Sequence, residues 1–322
     1  MVYKPIIVVA GEPNSIFSEI FFKSLNYKKF NSPIILIASK NLIELQMKKL
    51  NVNKKIRLIN FFDLKKNYLD NKKINLMNID FNQKKPFDKI SSKSNKYIEK
   101  SFDIALEIMN RKISDKFING PVSKKFFLKK KYLGITEYLA QKTKTKNFAM
   151  LIYNKNLSVC PLTTHLPIKK VSKKINKNMI KKKIKLINIF FRKYLKYKPR
   201  IAITGLNPHC ESVDAFNEDE KIIKPVIKSL TKSNYRISGP FAADTIFLKK
   251  NRKKYNVIIG MYHDQVLTPI KTLFEYDAIN ITIGLPFLRI SPDHGPNEKM
   301  MGEKKSNPLS LIKALTFLDL KK

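Results

Sequence analysis

Pro5-Ile6-Ile7-Val8-Val9-Ala10 and Pro33-Ile34-Ile35-Leu36-Ile37-Ala38-Ser39 decide how this chain folds. Each is a short β-branched run and reads as a strand. Ile16–Leu25 lies between them with helical spacing. A second helical stretch, Leu42–Leu50, then leads to a third strand-like run at Ile56–Asn60. Strand alternating with helix implies an α/β layered fold with a mostly parallel sheet.

The pattern continues along the chain. Ser91 to Lys112 carries an apolar stripe through Tyr97, Phe102, Ile104, Ala105, Ile108 and Met109, opened by serines able to cap a helix. Phe117–Asn119 reads as a short strand. Ala149–Tyr153 and Leu157–Leu162, split by Asn154-Lys155-Asn156, read as a hairpin. Ile168–Leu195 predicts one long lysine-rich amphipathic helix with a solvated face. Strands resume at Arg200–Thr204, Val257–Met261 and Ala278–Ile283, and Pro308–Leu320 closes the chain as a helix. The hairpin and the long helix place the start of a second lobe near residue 125.

With 322 residues, 43% hydrophobic and 11% aromatic, the chain can bury a large core. Its apolar runs are too short to span a bilayer, and Met1-Val2-Tyr3-Lys4-Pro5 enters a strand without a signal-peptide layout. Cys160 and Cys210 are its two cysteines, which argues for a reducing compartment without a disulfide framework. A cytoplasmic globular protein is expected. The net charge of +39 would by itself suggest nucleic acid or a membrane surface. Yet only seven of the 64 basic residues are arginine, while lysine, asparagine and isoleucine recur everywhere. AT-rich coding explains that pattern, and arginine is the cation expected where phosphates or bases are gripped by a fork. No specific nucleic-acid or membrane partner is expected.

The four histidines fall where strands give way to loops: Thr164-His165-Leu166-Pro167, Gly205-Leu206-Asn207-Pro208-His209, Met261-Tyr262-His263-Asp264-Gln265 and Asp293-His294-Gly295. Strand ends are where α/β sheets gather ligands. Three imidazoles with an open fourth position form a metal site that polarises a substrate oxygen. Their separations match no local zinc motif, so from the residues alone a metal site and structural histidines stay equally open.

Those stretches, together with Gly239-Pro240-Phe241-Ala242-Ala243-Asp244-Thr245 and Asn280-Ile281-Thr282-Ile283-Gly284-Leu285-Pro286-Phe287-Leu288-Arg289, resemble the ordered motifs of the 4-hydroxythreonine-4-phosphate dehydrogenase family of vitamin B6 synthesis. The resemblance implies a two-lobed α/β/α fold like the isocitrate and isopropylmalate dehydrogenases, with the active-site cleft between lobes. It divides the chain into a first lobe of 1–125 plus 280–322 and a second of 126–279, the latter with the metal ligands and dimer contacts. It implies a homodimer whose metal site draws on both subunits, with His165, His209 and His263 as ligands and Thr136, Lys271, Asn280 and Arg289 binding substrate.

The implied cofactors are NAD or NADP and a divalent metal (zinc, magnesium, cobalt or manganese). No Gly-x-Gly-x-x-Gly occurs, so the nucleotide site is of a non-Rossmann kind, and no cofactor-binding residues are assigned. The implied reaction oxidises 4-phosphohydroxy-L-threonine to a 2-amino-3-oxo-4-phosphate acid, which decarboxylates to 3-amino-2-oxopropyl phosphate. Lys271 and Arg289 suit its anionic groups as a point charge and a fork, and Arg289 follows an apolar strand. Asp244, Asp264 and Lys271 are the catalytic candidates; the two aspartates would orient imidazoles or accept a proton, or else merely stabilise turns. His294 is expected to organise a turn and Cys210 to be a packed thiol.

Four departures stand out. Ile135 replaces the family's histidine in Gly134-Ile135-Thr136-Glu137. Val266 replaces a glycine after His263-Asp264-Gln265. Cys210-Glu211-Ser212-Val213-Asp214 replaces a glycine-containing stretch. Gly11-Glu12-Pro13-Asn14-Ser15-Ile16-Phe17-Ser18-Glu19 replaces a glycine-rich turn. Lost glycines restrict the backbone where a ligand approaches closely. A sister dehydrogenase of a phosphorylated sugar acid, such as a tetronate 4-phosphate, would keep the same histidines. A non-enzymatic polyanion binder on a degenerate scaffold would instead gather its basic residues on one face, interleaved with aromatics.

Overall fold

The computed structural model describes residues 3–65, 69–129, 131–292 and 294–319. The chain forms two compact units, Met1–Thr143 with Pro286–Lys322, and Lys144–Leu285. The first unit opens with β1 (Ile6–Val9), α1 (Phe17–Tyr27), β2 (Ile34–Ala38), α2 (Lys40–Leu50) and β3 (Ile56–Leu58). It continues through β4 (Ile74–Asn78), α3 (Asn95–Asn110), β5 (Lys116–Asn119) and α4 (Ile135–Lys142). The second unit holds β6 (Ala149–Tyr153), β7 (Ser158–Pro161), α5 (Val171–Lys174), α6 (Lys177–Phe190), β8 (Ile201–Thr204) and α7 (Lys224–Lys232). After these come β9 (Ile237–Phe241), α8 (Ala243–Ile246), α9 (Lys249–Arg252), β10 (Val257–Gly260), α10 (His263–Phe274) and β11 (Ile279–Ile283). The chain then re-enters the first unit with β12 (Leu288–Ser291) and α11 (Leu309–Leu318).

In the first unit the strands lie in the order β3-β4-β2-β1-β5-β12, and every neighbouring pair is parallel. β1 is central, and Ile6, Ile7, Val8 and Val9 are all fully buried. That explains their unbroken apolar pattern: helices cover both faces of a parallel sheet. Each such side chain contributes about 1.5–3 kcal/mol on burial. α3 packs on β1, and Phe102 meets Phe117 of β5 edge-on at 6.1 Å. α2 starts where Ser39 Oγ accepts the N–H of Leu42 and ends at Asn51 in the left-handed region.

The second unit orders its strands β11-β6-β7-β10-β8-β9. β6 pairs antiparallel with β7 and with β11, as the expected hairpin requires, while β7, β10, β8 and β9 run parallel. The carboxyl ends of β7, β10, β8 and β9 therefore share one edge, and four of the candidate residues follow from that edge.

Several expectations are corrected. The single helix over 168–195 is broken: Ile175 turns extended, and Asn176 restarts the chain by accepting the Met179 N–H at 2.9 Å. An asparagine that satisfies a backbone donor itself competes with helix continuation. Three strands were missed. β4 is diluted by Asn75 and Asn78, with Asn75 buried and donating to the Ile34 and Asp70 carbonyls. β9 contains Gly239 and Pro240, which a sheet tolerates because β9 is an edge strand. β12 contains Arg289, so the arginine that follows the apolar strand β11 itself lies in a further strand. The units divide at 143/144 and 285/286, so α4, with Thr136, belongs to the first unit.

Candidate functional site

His165 follows β7, His209 follows β8, Asp244 follows β9 and His263 follows β10, each within three to five residues of the strand end. The parallel pairing therefore presents all four at one edge of the second unit. Their loops are tied down by polar side chains that drew no notice in the sequence. Gln265 Nε2 donates to the Gly205 carbonyl at 2.8 Å, and its Oε1 accepts from Thr204 Oγ1 and from the Met261 N–H. One amide thus staples the end of β8 to the end of β10. Thr163 Oγ1 and its own N–H both donate to the Met261 carbonyl, tying β7 to β10.

Two of the histidines come together. The rings of His165 and His263 are 5.8 Å apart, centre to centre, and His263 Nδ1 lies 2.6 Å from Asp264 Oδ1. Donation from Nδ1 to the carboxylate leaves Nε2 as the free lone pair, the arrangement that suits a metal-binding imidazole. His209 is exposed and stands in the left-handed region, with φ 54°, followed by Cys210 at φ 65°. Non-glycine residues hold such conformations only when their surroundings impose them. Here the buried carboxylate of Asp219 accepts the N–H groups of Leu206 and Asn207 and the side-chain amide of Asn207. Among the described residues no three His, Cys, Asp or Glu side chains come together as a metal cluster.

Asp244 is exposed in the short helix α8. Lys271 sits half-buried on α10, where burial lowers its ammonium below the usual lysine range. Asn280 is the second residue of β11, and its Oδ1 is buried without a hydrogen-bond partner among the described residues.

The first unit builds a second polar centre. Arg289 is fully buried in β12; its Nε donates to Asn119 Oδ1 at 2.8 Å and its Nη1 to Thr136 Oγ1 at 3.1 Å. Thr136 lies in the first turn of α4, whose N-cap, Gly134, brings no side-chain oxygen to the exposed helix N–H groups. A helix start and a guanidinium together favour an anion. Burial brings the Arg289 pKa down to about 10, against the pull of Glu137. Asn119 had gone unnoticed in the sequence.

A family model described as pyridoxal phosphate biosynthetic protein PdxA matches residues 29–318. The chain belongs to the PdxA family. Its curated relatives include the 4-hydroxythreonine-4-phosphate dehydrogenase of Sulfurihydrogenibium sp. (strain YO3AOP1), 37% identical over 98% of this chain and 97% of that one. The D-threonate 4-phosphate dehydrogenase of Pectobacterium atrosepticum is 34% identical over 56% of each chain. The solved structure of 4-hydroxythreonine-4-phosphate dehydrogenase from Klebsiella pneumoniae matches with a TM-score of 0.84 at 26% identity, covering 98% of each chain.

The structure shows how this PdxA chain fills the places of missing glycines. Ser15 Oγ donates to the Glu12 carbonyl and accepts the Phe17 N–H, closing the first turn with a side chain. Phe17 is buried and stacks against Phe21 and His294. His294 keeps a low imidazole pKa through burial, against a bond from its ring to the Gly295 carbonyl; Asp293 lies outside the described residues. Val266 is fully buried and packs onto Gly260, where an added Cβ would come within 2.4 Å of it. Cys210 packs equally tightly on Gly205, and burial raises its thiol pKa. Ile135 is the first residue of α4 and leaves that helix start without an imidazole. Among the described residues no helix is long and apolar enough to cross a membrane.

Proposed function

We propose that this protein is a 4-hydroxythreonine-4-phosphate dehydrogenase, oxidising the secondary hydroxyl of 4-phosphohydroxy-L-threonine with NAD or NADP and a divalent metal. The product, a β-keto acid, loses carbon dioxide to give 3-amino-2-oxopropyl phosphate. The observation that carries this reading is the His165–His263 pair with Asp264 behind it, at the carboxyl edge of the second sheet. Two imidazoles, one oriented by a carboxylate, fit a metal such as zinc, cobalt or manganese. His209 is the third donor, and the family resemblance implies that it comes from a second copy in a homodimer, each copy's His209 serving the other's pair.

A divalent metal held by His165, His263 and His209 would supply Lewis acidity at the substrate oxygen, and a bound NAD or NADP would serve as the hydride acceptor. The chain's own residues bind and orient. Arg289, locked by Asn119 and Thr136, takes an anionic group of the substrate in bidentate fashion. Thr136 and the first N–H groups of α4 add donors to the same anion. Lys271 binds as a point charge, and burial, which lowers its ammonium pKa, eases the passing on of a proton. Asn280 Oδ1 is an acceptor still to be satisfied, suited to the substrate amine or hydroxyl.

The test is NADH or NADPH formation from 4-phosphohydroxy-L-threonine, with EDTA and after adding back divalent metal. Metal-dependent turnover that vanishes in His209→Ala supports the reading. A folded protein inactive with every metal and both nucleotides sinks it. One observation favours a second reading, D-threonate 4-phosphate: Ile135 removes a donor at the anion site. A higher kcat/KM on that acid would establish it.

A further inference from the structure

Arginine is scarce in this chain, and most arginines have partners within the fold. Arg57 bonds Asn75 and Asp70, Arg111 bonds Glu107, Arg252 bonds the Phe247 carbonyl, and Arg289 bonds Asn119 and Thr136. Arg192, Arg200 and Arg236 make no such bond among the described residues, and of these Arg200 and Arg236 are set apart by their place in the sheet. Among the described residues no carboxylate lies within ion-pair range of either guanidinium, yet the fold sets the two side by side. Arg200 immediately precedes β8 and Arg236 immediately precedes β9. These strands are parallel with Ile201 opposite Ile237, and the Ile201 N–H donates to the Arg236 carbonyl at 2.8 Å. Register carried back one residue puts both arginines on the same side of the sheet, about 5 Å apart along the pairing direction.

The surroundings make a built recess of this pair. Asn256, just before β10, clamps Arg200 from both directions: its Oδ1 accepts the Arg200 N–H at 2.9 Å, and its N–H donates to the Arg200 carbonyl at 2.8 Å. Tyr197, Lys198, Arg200, Arg236 and Asn256 line a recess of about 460 Å³. Lys198 is turned to Asn234, and the Tyr197 ring, 43% exposed, is braced edge-on by Phe191 at 5.4 Å. The recess lies at the amino ends of β8, β9 and β10, the edge opposite the histidine loops.

Two neighbouring cations without an acid repel each other, and a bound anion would relieve that repulsion. Two guanidiniums set side by side, one strand apart, present forked donors that suit a ligand able to use the fork. We propose that this recess binds a phosphate monoester carried on a flat ring, with Arg200 and Arg236 on the phosphate and Tyr197 against the ring. The site does not depend on the dehydrogenase reading, and its volume is that of a small-molecule pocket.

Calorimetric titration with phenyl phosphate and with inorganic phosphate, at about 0.15 M salt to screen the lysine surface, tests it. Phenyl phosphate is expected to bind the full chain at least tenfold more tightly than inorganic phosphate. Arg200→Lys with Arg236→Lys is expected to weaken it tenfold or more, and the double alanine variant a hundredfold, while Tyr197→Ala erases the advantage over inorganic phosphate. Dehydrogenase turnover should stay as in the parent, and melting temperature should not fall. Phenyl phosphate affinity unchanged in the double lysine variant would reveal a diffuse charge effect and overturn the site, as would an absence of binding to the parent protein.

Discussion

Arg289 Nη1 donates to Thr136 Oγ1 at 3.1 Å, which joins a buried strand cation to the opening turn of a helix in one polar centre, the proposed anion receptor. Arg289→Lys keeps the charge but loses the fork that also engages Asn119. Its kcat/KM is expected to fall by about two orders of magnitude, through KM more than kcat. Thr136→Val should cost roughly 1–3 kcal/mol of stability by leaving a buried N–H unpaired. Steady-state kinetics and thermal melts separate the two, and an unaltered KM in both variants would remove the receptor from the reaction.

Ile135 occupies the helix start beside that receptor. Ile135→His adds a donor where the family resemblance implies one. KM for 4-phosphohydroxy-L-threonine is expected to drop several-fold, consistent with one further hydrogen bond to a charged group at about 1.5–3 kcal/mol less reorganisation. A rise in KM would mean that the isoleucine suits a different acid.

Glu12 gives the fold a pH signature. Burial, with help from Glu298, raises its carboxyl from 4.5 to about 7, against bonds from the Asn14 N–H and Ser94 hydroxyl. The native state thus holds the proton more tightly than the unfolded chain. This contribution to stability is complete below pH 4.5 and lost as pH rises through 7, by up to roughly 3 kcal/mol. Denaturant melts of Glu12→Gln should lack that decline between pH 5 and 8; parallel curves for variant and parent would refute the assignment.

Asp264 is largely exposed, so its bond to His263 Nδ1 is expected to bear on the proposed metal more than on folding. Asp264→Asn is expected to weaken Zn²⁺ or Co²⁺ affinity by about 10–100-fold with an unchanged melt. Equal affinity would reduce Asp264 to a turn residue.

Gln265 should show the opposite balance. Gln265→Leu leaves the Gly205 carbonyl, the Met261 N–H and the Thr204 hydroxyl unpaired, at roughly 1–3 kcal/mol for each group that water cannot reach. Both melting temperature and metal affinity are expected to fall, and a loss of neither would show that the strand ends hold themselves together.

The sequence made the parallel core legible because strands such as β1 are wrapped on both faces and so carry no polar residue. It hid β4 and β9 for the converse reason: Asn75 is buried by satisfying carbonyls across strands, and Pro240 is tolerated only at an edge. The same holds at the site. His165, His209 and His263 are visible as rare residues at strand ends. Gln265, Asp219 and Asn119 were not, because what they do is bond backbone or side chains 60, 12 and 170 residues away, respectively. No local spacing encodes such a bond.

The first unit is completed by the last part of the chain, and this orders events during synthesis. β12 pairs with β5 in register from Lys116↔Leu288, so until the ribosome has made the whole of the second unit, β5 remains an open apolar edge. Arg289 reaches Asn119 and Thr136 only when that edge closes. A nascent chain that stops short of β12 would therefore display an unpaired strand edge and lack the Arg289–Asn119–Thr136 centre, which makes that centre a marker of β12 docking.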